Sequence, residues 1–250
     1  MKVSFSNLAW EPADDDRVAD VLRANGVSTI DIAPGRYRGR PAGDIRRAWA
    51  DRGFTIGALQ SVCFGRPELS VFDTPDAMLE HIGSVATLAA QLGASTLVFG
   101  SPANRRRGAR SAAEVWGPAV TFLRRAGAIL ADRGLMLTVE AAPTRYGGDF
   151  CVTTAEAAAW VREVDHPAVR LQLDTGILSI DGTDELHAPL VGHIHVSEPG
   201  LGELRADQGI AARLRALFPT FGVTVEMVAG PDAVAAVARS AAIAVAAYGA

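Results

Sequence analysis

The chain has 250 residues, 49% hydrophobic and 21% charged, an ordinary composition for a soluble globular protein that one large core can serve. Its 24 Lys and Arg against 28 Asp and Glu give a formal charge of −4, which offers no footprint for nucleic acid or anionic lipid. Two cysteines, Cys63 and Cys151, exclude a disulfide framework and a cysteine-rich zinc site, the first residues hold no apolar stretch of signal-peptide length, and the longest apolar tract, Ala241 to Ala250, is far short of a membrane span; a cytoplasmic protein with no membrane partner is expected.

Extended apolar runs alternate with helical patterns from end to end. A first strand is predicted from Lys2 to Asn7, then a helix from Asp14 to Asn25 whose acidic start, Asp14, Asp15 and Asp16, suits a helix N-terminus. The second strand, Ser28 to Ala33, precedes a helix from Asp44 to Arg52. The third, Thr55 to Val62, precedes a long helix from Thr74 to Leu92. The fourth, Ser95 to Gly100, precedes a helix from Ala112 to Arg133.

The fifth strand, Leu135 to Ala141, leads to a helix from Thr154 to Val164. The sixth, Val169 to Asp174, is followed by a short helical piece near Asp184 to Leu190. The seventh, Val191 to Ser197, precedes a helix from Gln208 to Leu217, and the eighth, Gly222 to Val228, an alanine-rich helix from Pro231 to Tyr248. Eight strand–helix units in 250 residues match an α/β (β/α)₈ TIM barrel, a single domain over residues 1–250. A doubly wound open sheet has fewer strands and a glycine-rich first turn; neither G-x-G-x-x-G nor a P-loop occurs.

Four strands carry the functional argument. Leu135, Leu137 and Val139 alternate with Met136, Thr138 and Glu140; Val169, Leu171 and Leu173 with Arg170, Gln172 and Asp174; Val223, Val225 and Met227 with Thr224 and Glu226. The seventh strand sets His193, His195 and Ser197 against Ile194 and Val196. Side chains alternate faces, so the apolar set packs outward and the polar set points into the barrel. Glu140, Asp174, His195 and Glu226 all sit at strand C-terminal ends, where barrel active sites are built. Three carboxylates converging there repel unless they pair with an interior cation such as Arg170 or hold a metal. At matching depth on four strands the metal is favoured: one divalent ion per chain, Mn²⁺ or Mg²⁺ for an oxygen-rich site, with Co²⁺ or Zn²⁺ compatible.

At these residues the sequence resembles the xylose-isomerase-like barrel superfamily of sugar and sugar-phosphate isomerases and epimerases, over essentially the whole chain. The matching motifs are Val-Glu140-Ala-Ala-Pro, Leu-Asp174-Thr-Gly, His193-Ile-His195-Val-Ser-Glu198 and Val-Glu226-Met. The resemblance implies that Glu140, Asp174, His195 and Glu226 bind the metal, that Glu140 and Glu226 form the acid–base pair, and that His193 touches substrate or a metal ligand. It departs where many ketose epimerases carry a histidine (here Ile177), an arginine (Leu201) and a carboxylate (Tyr146).

Further substrate contacts are expected from Gln60, at the end of the third strand, and from Tyr146, which serves either as a pocket wall or in packing, as does Trp10. The basic loop Ser101 to Arg110 is either solvated or holds an anion through Asn104 and Arg105 with help from Arg66. His81, His166 and His187 are expected to be surface or capping residues.

The expected activity is isomerisation or epimerisation of a small sugar-like compound, by glutamate-mediated proton transfer through a metal-stabilised enediolate. A metal-dependent lyase or dehydratase is the alternative, and a non-catalytic barrel subunit the alternative of another class. Endonuclease action is disfavoured by the charge and by too few metal ligands. The alanine-rich last helix is a surface on which copies of the chain could associate.

Overall fold

Strands with one apolar and one polar face can bury both when the sheet closes on itself. In the computed structural model, which describes residues 1–205 and 209–249, it does so. The first half comprises β1 Val3–Ser6, α1 Asp15–Ala24, β2 Thr29–Ile32, α2 Ala42–Asp51, β3 Thr55–Leu59, α3 Pro75–Leu92, β4 Thr96–Phe99 and α4 Ala112–Ala131. The second half comprises β5 Met136–Val139, α5 Thr154–Val164, β6 Val169–Asp174, α6 Thr175–Asp181, β7 Val191–Val196, α7 Ile210–Leu217, β8 Val223–Val225 and α8 Ala233–Tyr248. All neighbouring strands are parallel, in the order β1 to β8, and Val3↔Val223, Ser4↔Thr224 and Phe5↔Val225 close the ring. This is a (β/α)₈ TIM barrel.

Phe5, Leu97, Leu137, Leu171, Ile194 and Val225 are wholly buried in the continuous apolar core. The barrel interior is polar instead. Thr138 donates to Gln172 Oε1 at 2.8 Å, the His193 ring lies 3.2 Å from the same oxygen, and Thr224 donates to Asp31 at 2.7 Å. Buried polar groups persist because they satisfy one another. Helices α4 and α5 each begin with a reciprocal cap, Ser111 with Glu114 and Thr153 with Glu156, which fixes where the chain re-enters the outer layer.

The sixth helix differs from the sequence expectation. It spans Thr175–Asp181, directly after β6, and only a 3-10 turn, Ala188–Leu190, falls where the helical piece was expected. Asp174 causes this: its Oδ1 accepts from Ile177 N at 2.7 Å and caps the helix at the last residue of the strand. The expected start of the seventh helix at Gln208 lies outside the described residues.

Of the three acidic residues expected at the start of α1, Asp15 is buried and accepts from the Trp10 indole at 2.9 Å and the Tyr37 hydroxyl at 2.9 Å. Trp10 packs edge-on against Trp49 and is core, not pocket wall. Cys63 and Cys151 are free buried thiols, both pushed up to about 12 by burial. Among the described residues no helix is long and apolar enough to cross a membrane.

Candidate metal centre

The C-terminal ends of β5 to β8 deliver one side chain each to a single point. Glu140 follows β5, its N–H still paired with Phe99 O at 3.1 Å; Asp174 ends β6; His195 lies in β7; Glu226 follows β8 with its N–H on Val196 O at 3.0 Å. One ligand atom from each of the four lies within 4.8 Å of the others. His195 Nδ1 is 3.4 Å from Glu140 Oε1 and 3.2 Å from Glu226 Oε2. Yet Glu140 Oε1, Asp174 Oδ2 and both His195 nitrogens are buried without a hydrogen-bond partner. Such orphaned donors and acceptors are what a ligand ion resolves, so the residue set fits a divalent cation.

Electrostatics agrees with geometry. Burial pushes the Asp174 carboxyl up to about 8, and the charges of Glu140 and Glu226 add to the rise. Burial raises Glu140 as well. For His195 burial works toward neutrality, but the facing carboxylates of Glu226 and Glu140 outweigh it and hold the ring well above its usual value. A single imidazole among three carboxylates leaves the cluster short of positive charge.

Supporting contacts orient these groups. Asp174 Oδ1 accepts from Ser197 Oγ at 2.9 Å as well as from Ile177 N, which leaves Oδ2 free. Ser197 is in turn fixed by Thr175, whose hydroxyl accepts from Ser197 N at 2.9 Å and donates to Ser197 O at 3.0 Å. Glycine is needed at two contacts. A methyl on Gly100 would stand 2.3 Å from Glu140 Oε2, and one on Gly176 would stand 2.4 Å from Ser197 Oγ. Sequence reasoning placed Ser197 on the interior face but assigned neither it nor Gly100 a role; the only signal was their place at strand ends.

A cavity of about 580 Å³ opens over Glu140, Asp174 and Glu226. Of the expected substrate contacts, Arg66, Asn104 and Tyr146 line it, whereas Gln60, His193 and Arg105 do not. Gln60 is buried and donates to Ser6 Oγ. His193 lies a layer deeper, its Nε2 3.3 Å from Asp31 Oδ2, and its ring stands edge-on to His195. Burial alone would raise Asp31, but the hydrogen bonds and charge of His193 and the Thr224 hydroxyl hold it below its usual range.

Arg105 is neither solvated nor at the cavity. It is 1% exposed, stacked over Phe99 at 5.5 Å, with all three guanidinium nitrogens unpartnered. Asn104 spends its amide nitrogen on the carbonyls of Arg66 and Leu69, both at 2.8 Å. His81 anchors the loop after β3, its ring 2.8 Å from Val62 O and 3.2 Å from Arg66 Nη1.

Known structures share this fold. The chain superposes on D-psicose 3-epimerase, crystallised in the presence of D-fructose, with a TM-score of 0.79 at 17% identity, covering 100% of both chains. An AP endonuclease, family 2, from Brucella melitensis gives 0.77 at 18% identity over 96% of this chain and 98% of that one. The IOLI protein with a binding zinc atom gives 0.72 at 14% identity over 99% of both. At such identities the likeness is one of fold. A search of curated proteins found no sequence match. The profile of the xylose isomerase-like TIM barrel, however, matches residues 19–225, most of the chain, and the protein belongs to that family.

Proposed function

We propose that the protein is a divalent-metal-dependent isomerase or epimerase that moves a proton at the carbon beside the carbonyl of a small sugar-like compound. One observation carries the reading: four ionisable side chains from consecutive strand ends converge within 4.8 Å, with buried, unpartnered atoms, beneath a cavity of substrate size. Three carboxylates and one imidazole favour Mn²⁺ or Mg²⁺, and a bound ion supplies a Lewis acid that polarises a carbonyl oxygen.

The residues divide the remaining work. Glu140 and Glu226 come from β5 and β8, with two strands between them on one side of the ring and four on the other. They can therefore meet a substrate from different sides, one accepting the carbon-bound proton and the other returning one. Both line the cavity. Asp174 lines it too, but its Oδ1 is tied by two donors, which suits holding and not shuttling. Return of the proton to the same carbon gives epimerisation; return to the neighbour gives aldose–ketose interchange.

The test is deuterium incorporation from D₂O into a panel of α-hydroxy ketones and aldehydes, ketoses and aldoses among them, with metal content measured on each sample. Glu140→Gln and Glu226→Gln, if metal-loaded, are expected to lose turnover by about 10²-fold or more, while one epimer still exchanges in each variant. Near-normal turnover in either loaded variant removes that glutamate as a proton carrier.

A further inference from the structure

Above the carboxylates the cavity has walls unsuited to a chain of hydroxyl groups. Leu8, Phe64, Pro67, Val98, Ile177 and Leu201 line it. Of the polar side chains in the lining besides the carboxylates, four are committed elsewhere and two, Ser61 and Ser101, are short hydroxyls. Asn104 holds two backbone carbonyls, Arg66 pairs with Glu68, Ser197 donates to Asp174, and the Tyr146 hydroxyl accepts from Gly200 N at 2.6 Å. A substrate hydroxyl pressed against the aliphatic wall would lose its water and gain no partner.

Two of the wall residues present apolar side chains where solvent exposure or backbone conformation favours other residue types. Phe64, at the mouth, is 71% exposed, the most exposed large apolar side chain among the described residues. Leu201 has φ of +56°, a left-handed conformation that suits glycine or asparagine, and yet it presents a leucine side chain to the cavity. It is held there by its N–H on Glu198 O at 2.8 Å and its carbonyl under Val228 N at 2.9 Å.

We infer that the substrate is a hydroxy carbonyl compound with its oxygens confined to the end that meets Glu140, Asp174 and Glu226, and with an apolar aryl or alkyl body against Phe64, Ile177 and Leu201. The reacting end rests on the proposed function; the apolar body rests on the walls alone. A free polyhydroxy sugar is then a poor occupant. Discrimination comes from hydroxyl groups left dry, not from a clash.

Calorimetric titration of the Mn²⁺-supplemented protein compares two probes that both stay open-chain in water, 2-hydroxyacetophenone and L-erythrulose. Both carry a hydroxymethyl ketone, one with a phenyl ring and the other with a polyol chain. The aryl ketone is expected to bind at least about tenfold tighter. Phe64→Ser changes an exposed side chain, and Leu201→Asn suits the left-handed backbone, so both variants should fold. Together they should weaken the aryl ketone about tenfold and not weaken erythrulose. Erythrulose binding as tightly as the aryl ketone overturns the inference, as does no aryl ketone binding at millimolar concentration or an unchanged aryl ketone affinity in the double variant. Deuterium exchange on the same samples separates the two readings: aryl preference without exchange sinks the proposed reaction and leaves the substrate class standing.

Discussion

Glu140 can aim its carboxylate into the cluster only because Gly100 offers no side chain behind it. An added methyl at 2.3 Å from Oε2 cannot be accommodated without turning the carboxylate away. Gly100→Ala should therefore fold but raise the metal dissociation constant about tenfold or more, measured by competition with a fluorescent chelator; unchanged affinity would show that Glu140 is not a ligand. Arg105 poses the opposite case, a charge buried with no hydrogen-bond partner. Burial works against its protonated form, and the nearby Cys151 and Glu140 oppose that only in part. An unpaired buried ion is no more stabilising than an apolar group of similar shape. Arg105→Met should thus match or exceed the parent in urea unfolding, whereas Arg105→Ala, which opens a void, should cost about 2–4 kcal/mol. A Met variant as unstable as the Ala variant would mean that attraction to Glu140 outweighs burial.

Strand ends and loops differ in how much of them the sequence reveals. The alternation in β5 to β8 is a short-range signal, and the polar positions it singles out, Thr138, Gln172, His193 and Thr224, do share one interior network. The direction of a loop side chain is set by distant partners and carries no periodic signal. The basic run after β4 reads in sequence as either a solvated loop or an anion site; in the structure Arg106 and Arg107 bond to the carbonyls of Gly147 and Asp149, and Arg110 pairs with Asp73. They tie one rim loop to its neighbours. Helix α6 starts before the expected helical piece because Asp174, besides its place in the ligand cluster, precedes Thr-Gly as a helix cap. The two roles are joined through Ser197, which clamps the ends of β6 and β7. Ser197→Ala removes one of the two donors to Asp174 Oδ1 and should weaken metal binding about 10–100-fold with little change in fold. An affinity within error of the parent would mean that the cap alone orients the ligand.

For the molecule as a whole, gathering three carboxylates and one imidazole inside a barrel sets site against stability. The folded state holds Asp174 at about 8 and raises Glu140, both above the value a carboxyl has in the unfolded chain. The folded metal-free protein therefore retains protons that the unfolded chain releases. The stability this confers is complete below about pH 4 and is lost as the pH climbs through the folded values. His195, held well above its usual value, acts in the same sense: its share is present below about pH 6.5 and is lost at higher pH. Exposed pairs such as Asp73 with Arg110 and Glu203 with Arg239 have depressed carboxyls and act oppositely, so total stability against pH does not isolate the cluster. Two differences do. Without metal, Asp174→Asn should gain on the parent in melting temperature between pH 5 and pH 8, because the variant has no carboxylate to ionise there. Mn²⁺ competes with the same protons, so its stabilisation of the parent should be small at pH 5 and grow toward pH 8. At a hundredfold excess over its dissociation constant the ion adds about 2.7 kcal/mol, roughly 5–10 °C for a chain of this size. A metal-induced shift that is flat with pH would sink the assignment, since an ion bound by oxygens of surface carboxylates, already ionised at pH 5, has no protons to displace.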